Sequence, residues 1–281
     1  MRSHNMFTPV AIFLLGLIIG SFLNVVISRV PVEQSVVTPR SRCPQCSTPI
    51  AFYDNIPLLS YALLVGRCRH CKAPISAVYP IVELLTGACF LAAFLKFGMT
   101  ASFVLNSAFF AALVALVFID LEHRLLPDVI TLPMILGGLL FSYFQDPAIM
   151  KSTLLERLFS LQMPWQRIAV HATQSLLGIL LGGGSLWLVA FLYLKYRNIE
   201  GMGMGDVKLM AAVGAFVGWS YAMLTIFLGS LFGAVISTAY IAWTGKGARY
   251  ELPFGTFLGL AAIASTLWGN DIILWYLKLT R

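Results

Sequence analysis

The chain has 281 residues, 59% of them hydrophobic and 11% charged, with a mean hydropathy of +0.84. That balance excludes a soluble globular domain. The net charge of +7 does not imply nucleic-acid binding, because Lys and Arg in so apolar a chain record membrane topology, and the partner implied is the lipid bilayer.

The first apolar run, Phe7 to Val30, is too long for the apolar part of a signal peptide, and no A-x-A-like site closes it. It reads as a retained first helix. At about 20 apolar residues per crossing, eight spans are predicted: 7–29, 78–97, 101–121, 126–144, 168–194, 207–219, 221–243 and 254–277. The sixth is short and reads as a partly inserted or broken helix. The fold class expected is an all-α polytopic membrane protein of about eight transmembrane helices with a small zinc-binding cytoplasmic lobe. Its organisation is a first helix (1–30), a cytoplasmic four-cysteine lobe (31–77) and a transmembrane core (78–281).

Placing segment 31–77 in the cytoplasm and alternating from there puts twelve Lys and Arg on that side and seven on the other, as the positive-inside rule requires. Loop 145–167 carries three basic residues on the outer side, and its stretch Leu154–Leu161 reads as a short interfacial helix.

Within the lobe, Cys43-Pro44-Gln45-Cys46 is followed, after a spacer of 21 residues, by Cys68-Arg69-His70-Cys71. Two C-x-x-C pairs at this spacing suit a tetrahedral zinc ion held by four thiolates. With every position filled, the metal is structural. Disulfides are disfavoured in the cytoplasm. Cys89, alone in an apolar run, reads as a small packing residue.

Several other polar residues have a packing explanation. The stretch Gly20-Ser21-Phe22-Leu23-Asn24 puts small and polar residues in the first span, as helix contacts prefer, and Gly178 with Gly182-Gly183-Gly184 does the same in the fifth. Asp54-Asn55-Ile56-Pro57-Leu58-Leu59-Ser60-Tyr61 reads as a turn entering an apolar segment. His171 reads as a satisfied polar residue. Glu83, inside the second span, needs a partner or a proton.

Two acids stand apart from these. Asp120 lies in the last turn of the third span, within Ile119-Asp120-Leu121-Glu122-His123-Arg124-Leu125-Leu126-Pro127-Asp128, where Asp128 suits a helix start. Asp206 opens the sixth span behind Gly201-Met202-Gly203-Met204-Gly205 and ahead of Lys208, a residue that either raises the local potential or snorkels to the interface. Acids where a chain enters a bilayer are costly and point to function. The topology puts both at the cytoplasmic face, level in depth. Two carboxylates held close share one proton, so that one can activate water while the other polarises a peptide carbonyl. That is aspartic-protease chemistry, with Asp120 and Asp206 as the catalytic pair. The glycines let an extended substrate approach the local backbone.

The chain resembles the bacterial type IV prepilin peptidases. The resemblance is carried by GSFLNVVISRVP at 20–31, the CPQC and CRHC pairs, DNIPLLSY at 54–61, YPIVELLTG at 79–87, IDLEHRLLPD at 119–128, GMGMGDVKL at 201–209 and PFGTFLG at 253–259. It implies an inner-membrane enzyme that cuts the short basic leader from type IV prepilins or type II secretion pseudopilins at the cytoplasmic face, after a glycine. The family's catalytic aspartates fall on Asp120 and Asp206, not on Asp128, and its cysteine pairs on Cys43, Cys46, Cys68 and Cys71. The resemblance further implies N-methylation of the new N-terminal residue with S-adenosyl-L-methionine, since members bearing the cysteine lobe are bifunctional. The residues themselves carry no methyl-donor fingerprint, and the resemblance implies no oligomeric state.

Three other readings stand beside this one. A transporter or channel would use its intramembrane acids to relay protons or ions, and would give ion flux without a peptide product. A non-catalytic scaffold would dock a secretion partner on the metal lobe and tolerate loss of both aspartates. A presenilin-like protease would cut within transmembrane helices.

Overall fold

The computed structural model describes residues 7–146, 149, 164–198, 202–244 and 253–279. The expected interfacial helix at 154–161 lies outside them. Among the described residues there is no β-strand, and two isolated bridges join Arg42 to Pro49 and Arg67 to Pro74. In hydrocarbon every backbone N–H and C=O must be bonded within its own segment, so long apolar sequence becomes helix. In chain order the helices are α1 (Phe7–Arg29), α2 (Leu59–Leu63), α3 (Val78–Phe97), α4 (Ala101–His123), α5 (Asp128–Phe141), α6 (Pro164–Gly178), α7 (Gly184–Arg197), α8 (Met204–Thr244) and α9 (Phe254–Leu279). A π-helical turn, Ile179–Gly183, joins α6 to α7 in one span.

Among the described residues six helices are long and apolar enough to cross a membrane, and Asp128–Phe144 is a shorter apolar one. One of the six is double. With 41 residues, α8 would reach roughly 60 Å if straight, about twice the hydrocarbon core. It breaks at Gly218, where φ is 75° and ψ 175°, a backbone that glycine alone adopts readily. A Cβ placed on Gly182 would lie 2.7 Å from the Met210 carbonyl oxygen and 3.3 Å from the Ala222 Cβ. On a straight helix those two residues stand about 18 Å apart, so the chain doubles back at Gly218. The predicted spans 207–219 and 221–243 are the two arms. With the short helix they account for the eight segments read from the sequence.

The chain forms two compact units, Met1–Ile119 and Asp120–Arg281, divided within α4. In the first, α1 packs along α3. A Cβ on Gly16 would sit 2.7 Å from Gly87 Cα, and one on Gly20 would sit 2.6 Å from Glu83 Cα. The two backbones therefore touch, the close approach that small residues allow in membranes. Asn24 Nδ2 donates to the Tyr79 carbonyl at 3.1 Å across the same seam. Cys89 is buried, as its packing role requires.

In the second unit α8 is central and packs against α5, α6, the π-helical turn, α7 and α9. The Gly178 and Gly214 backbones press directly on each other. The break at Gly218 leaves the preceding carbonyls without intrahelical donors. Side chains from neighbouring elements supply two of them: Ser175 Oγ donates to the Ala215 oxygen at 2.7 Å, and Gln145 Nε2 to the Phe216 oxygen at 3.0 Å. His171 is hydrogen-bonded through Nδ1 to the Ser142 carbonyl at 2.9 Å, as a satisfied polar residue.

Candidate active site

Three helix ends converge in the second unit. Helix α4 stops one turn after Asp120: Arg124 adopts a left-handed φ of 55°, and its N–H returns to the Asp120 carbonyl at 2.9 Å. Helix α8 begins at Met204, with Asp206 in its first turn, and α9 begins at Phe254, which puts Gly255 and Thr256 in its first turn. The first N–H groups of a helix have no partner within it. Asp120 supplies one for α9: its Oδ2 accepts the Thr256 backbone N–H at 2.6 Å and the Thr256 hydroxyl at 3.0 Å. Asp120 and Thr256 are both buried. Two helix N-termini thus face the carboxylates, the arrangement their dipoles favour.

Gly255 measures the gap between the acids. A Cβ there would lie 3.0 Å from Asp120 Oδ2 and 3.0 Å from Asp206 Oδ1. The two oxygens are therefore no farther apart than twice that distance, both bordering the space a side chain at residue 255 would fill. Asp206 lies within the electrostatic field of the Asp120 carboxylate. The same Cβ would meet Leu126 Cδ1 at 2.9 Å, and Leu126 Cβ stands 3.0 Å from where a Cβ on Gly205 would be. Leu126 is thus an apolar wall resting on the two glycines that flank the acids, so Gly205 serves packing. Gly201 lies outside the described residues.

Asp128 starts a helix, as read from the sequence, and it pairs with Lys208, which the sequence did not show. Lys208 Nζ pairs with both Asp128 oxygens, at 2.7 and 2.8 Å, and so ties the start of α8 to the start of α5. Asp128 is the first residue of α5 and caps nothing with its side chain. The pair is partly solvent-exposed and contributes at most about 1 kcal/mol.

The sequence reading did not single out Gly255 or Thr256. Their available signal was PFGT at the start of the last span, where a threonine enters a first turn whose N–H groups seek acceptors. Thr256→Val keeps the backbone bond to Asp120 and removes the hydroxyl one. A hydrogen bond to a charged group contributes about 1.5–3 kcal/mol, so acid–base chemistry at the Asp120–Asp206 pair is expected to slow about tenfold or more, with Thr256→Ser restoring it. An unchanged rate in Thr256→Val would show that the hydroxyl does not orient Asp120.

The first unit holds a second cluster. The sulfurs of Cys43, Cys46, Cys68 and Cys71 all lie within 4.8 Å of one another, with Cys43 and Cys71 3.8 Å apart. Four thiolates about 2.3 Å from a zinc ion sit roughly 3.8 Å apart, so the set fits a tetrahedral metal. Both knuckles follow one backbone path. Cys43 N–H donates to Thr48 and Ser47 N–H to Cys43; Cys68 N–H donates to Ala73 and Lys72 N–H to Cys68. Ser47 and Lys72 occupy matching left-handed positions, at φ 57° and 58°. The Thr48 hydroxyl and then its backbone N–H bring the Cys46 thiol down to about 6. Backbone N–H groups of Cys71 and His70 lower Cys68. Both shifts favour the thiolate, the form that binds metal, whereas the Cys71 thiol is pushed up to about 11, because its bond with the Ala73 backbone is outweighed by burial and the neighbouring Cys46, Cys68 and Cys43 thiols. His70 is not needed as a ligand.

Comparison with known proteins covers both units. Residues 14–97 match the bacterial peptidase A24 N-terminal domain, and residues 107–238 match the type IV leader peptidase family. The chain is 37% identical to the prepilin leader peptidase/N-methyltransferase of Aeromonas hydrophila, over 95% of this chain and 92% of that protein. The proteins of the same name from Pseudomonas aeruginosa and Myxococcus xanthus are 34% and 41% identical. The alignments cover 99% and 86% of this chain, and 96% and 66% of theirs. No solved structure matches. The first family match contains all four clustered cysteines and the second contains both facing aspartates, so on sequence and geometry alike the chain belongs to the type IV leader peptidase family.

Proposed function

We propose that this protein is a membrane aspartic endopeptidase that removes the basic leader of type IV prepilins or type II secretion pseudopilins, then N-methylates the new N-terminal residue. The observation that carries the reading is the pair of carboxylate oxygens, from Asp120 and Asp206, that each lie 3.0 Å from where a Cβ on Gly255 would be. Two carboxylates this close hold one proton between them. The ionised member takes a proton from a water molecule as that water attacks the scissile carbonyl. The protonated member donates to the carbonyl oxygen and stabilises the charge that develops there. Thr256 fixes Asp120 at the helix end, and Gly255 leaves room for a peptide bond between the acids. The excess of basic residues on one side supports a site at the cytoplasmic face of the membrane.

The four cysteines hold a structural zinc ion. S-adenosylmethionine supplies the methyl group, transferred from a sulfonium to the amine that cleavage exposes. One reaction tests both activities: the purified full chain is incubated with a prepilin and isotopically labelled S-adenosylmethionine, and the product is weighed by mass spectrometry. The expected product has lost its leader at a single bond after glycine and carries one labelled methyl. Intact prepilin overturns the peptidase reading, a cut inside the apolar helix makes the enzyme presenilin-like, and a cleaved but unlabelled product removes the methyltransferase activity.

A further inference from the structure

The first unit has a cleft of about 570 Å³ that the peptidase chemistry does not use. Its walls come from the second half of α1, both cysteine knuckles, the segment 54–64 and the start of α3, with Ser21, Asn24, Arg29, Asp54, Tyr61 and Glu83 among the lining residues. Small-molecule sites typically measure about 300–1,000 Å³ and combine apolar walls with a few fixed polar groups.

Glu83 shows that this cavity is built. It is a buried carboxylate on a membrane-spanning helix, a placement retained where it has work to do. Its Oε2 accepts the Leu58 backbone N–H at 2.8 Å, and the Ser21 hydroxyl is also bonded to it. To aim that N–H, Leu58 holds a φ of 59° and a ψ of −45°, a strained backbone that persists only where its surroundings impose it. Both partners are neutral donors. Among the described residues no cation pairs with Glu83. Three arginines line the cavity: Arg69 forms a bidentate pair with Asp54, Arg29 donates to the Ser35 and Pro39 carbonyls at 2.8 Å each, and Arg42 is the third. The Arg69–Asp54 pair also fixes the 54–61 segment against the second knuckle. What remains is one oriented anion, Glu83, and one cation, Arg42, on a cavity that has an aromatic wall at Tyr61. That wall offers a face for a flat base, and the anion offers charge for a cation.

We infer that this cavity is the methyl-donor site, binding a cationic sulfonium nucleoside of the S-adenosylmethionine class, with Glu83 facing its positive charge. The inference rests on the methyltransferase reading above and names the site that reading lacks. Every lining residue falls between Ser21 and Glu83, whereas both aspartates belong to the second unit, so methyl-donor binding and cleavage are separable by mutation.

The test is equilibrium binding of radiolabelled S-adenosylmethionine to the detergent-purified full chain. Glu83→Gln keeps the shape and the acceptor oxygen for Leu58 but removes the charge. It is expected to raise the Kd at least about tenfold while prepilin cleavage stays within about twofold of the unmodified enzyme, which also verifies folding. Should Glu83→Gln not accumulate, ultraviolet cross-linking of labelled S-adenosylmethionine to the unmodified chain decides, with the label expected on peptides within residues 21–83. Unchanged affinity in Glu83→Gln, or label confined to residues 120–279, overturns the site while the methyltransferase reading stands. An unmodified chain that neither binds nor transfers the methyl group overturns that reading and the site with it.

Discussion

Asp120→Asn and Asp206→Asn are each expected to reduce prepilin cleavage by about a thousandfold or more, without unfolding the protein and without weakening S-adenosylmethionine binding. Asparagine has nearly the shape of aspartate, and its carbonyl oxygen still accepts the Thr256 N–H and hydroxyl, so the end of α9 stays capped. At position 206 the substitution forfeits a favourable charge at the start of α8, a matter of about 0.3–1 kcal/mol. Asparagine cannot exchange a proton with water, and positioned proton transfer contributes on the order of 10²–10⁴ in rate. The two acids act as a unit on one proton, so the double variant is expected to be no slower than the slower single one, because effects within a catalytic unit do not add. Single-turnover cleavage of a prepilin, followed by mass spectrometry, measures all three variants. Near-normal cleavage by either single variant would remove that aspartate from the chemistry and revive the scaffold reading, while methylation of a pre-cleaved substrate serves as the control for folding.

The aspartates were legible in the sequence because an acid bordering a membrane span is conspicuous, and because topology alone levels Asp120 with Asp206. The cysteines were legible because paired C-x-x-C spacing has few other uses. The rest of the pocket was not. Gly255 and Thr256 look like ordinary packing residues, and their meaning appears only when α4 and α9 meet, since it depends on which helix end lies opposite which carboxylate. Glu83 was conspicuous, but its Leu58 partner is a backbone N–H, a group every residue but proline carries, so no pattern of side chains could reveal it. Lys208 and Asp128 were each given local roles and also pair with each other across two helix starts. The hairpin of α8 was legible as two short spans because Gly218 interrupts an apolar run too long for one crossing. The carbonyls that break exposes, and their capture by Ser175 and Gln145, required the fold.

Removing the metal should have an equally large effect, on the other activity. From residue 31 to residue 77 no aliphatic or aromatic side chain is buried: Cys43, Ser60 and Gly66 alone are, while Val37, Phe52 and Val65 are exposed. A segment without an apolar core cannot offset the entropy of ordering its chain. Two isolated bridges and a few turn hydrogen bonds are too little to hold it. Bonds between the metal and its thiolates must supply that free energy outright, as in other small metal-dependent folds. Chelation under reducing conditions, or Cys46→Ser, is therefore expected to lower zinc from about one per chain to near zero and to open residues 31–77 to hydrogen exchange. The knuckles form one wall of the cavity beside Glu83, so S-adenosylmethionine binding should fall to background in the same sample. Cleavage should persist, because Asp120, Asp206 and Thr256 take no residue from the lobe. Retained exchange protection in zinc-free protein would show that something other than metal orders the lobe. Loss of cleavage along with the metal would show that the peptidase site depends on it.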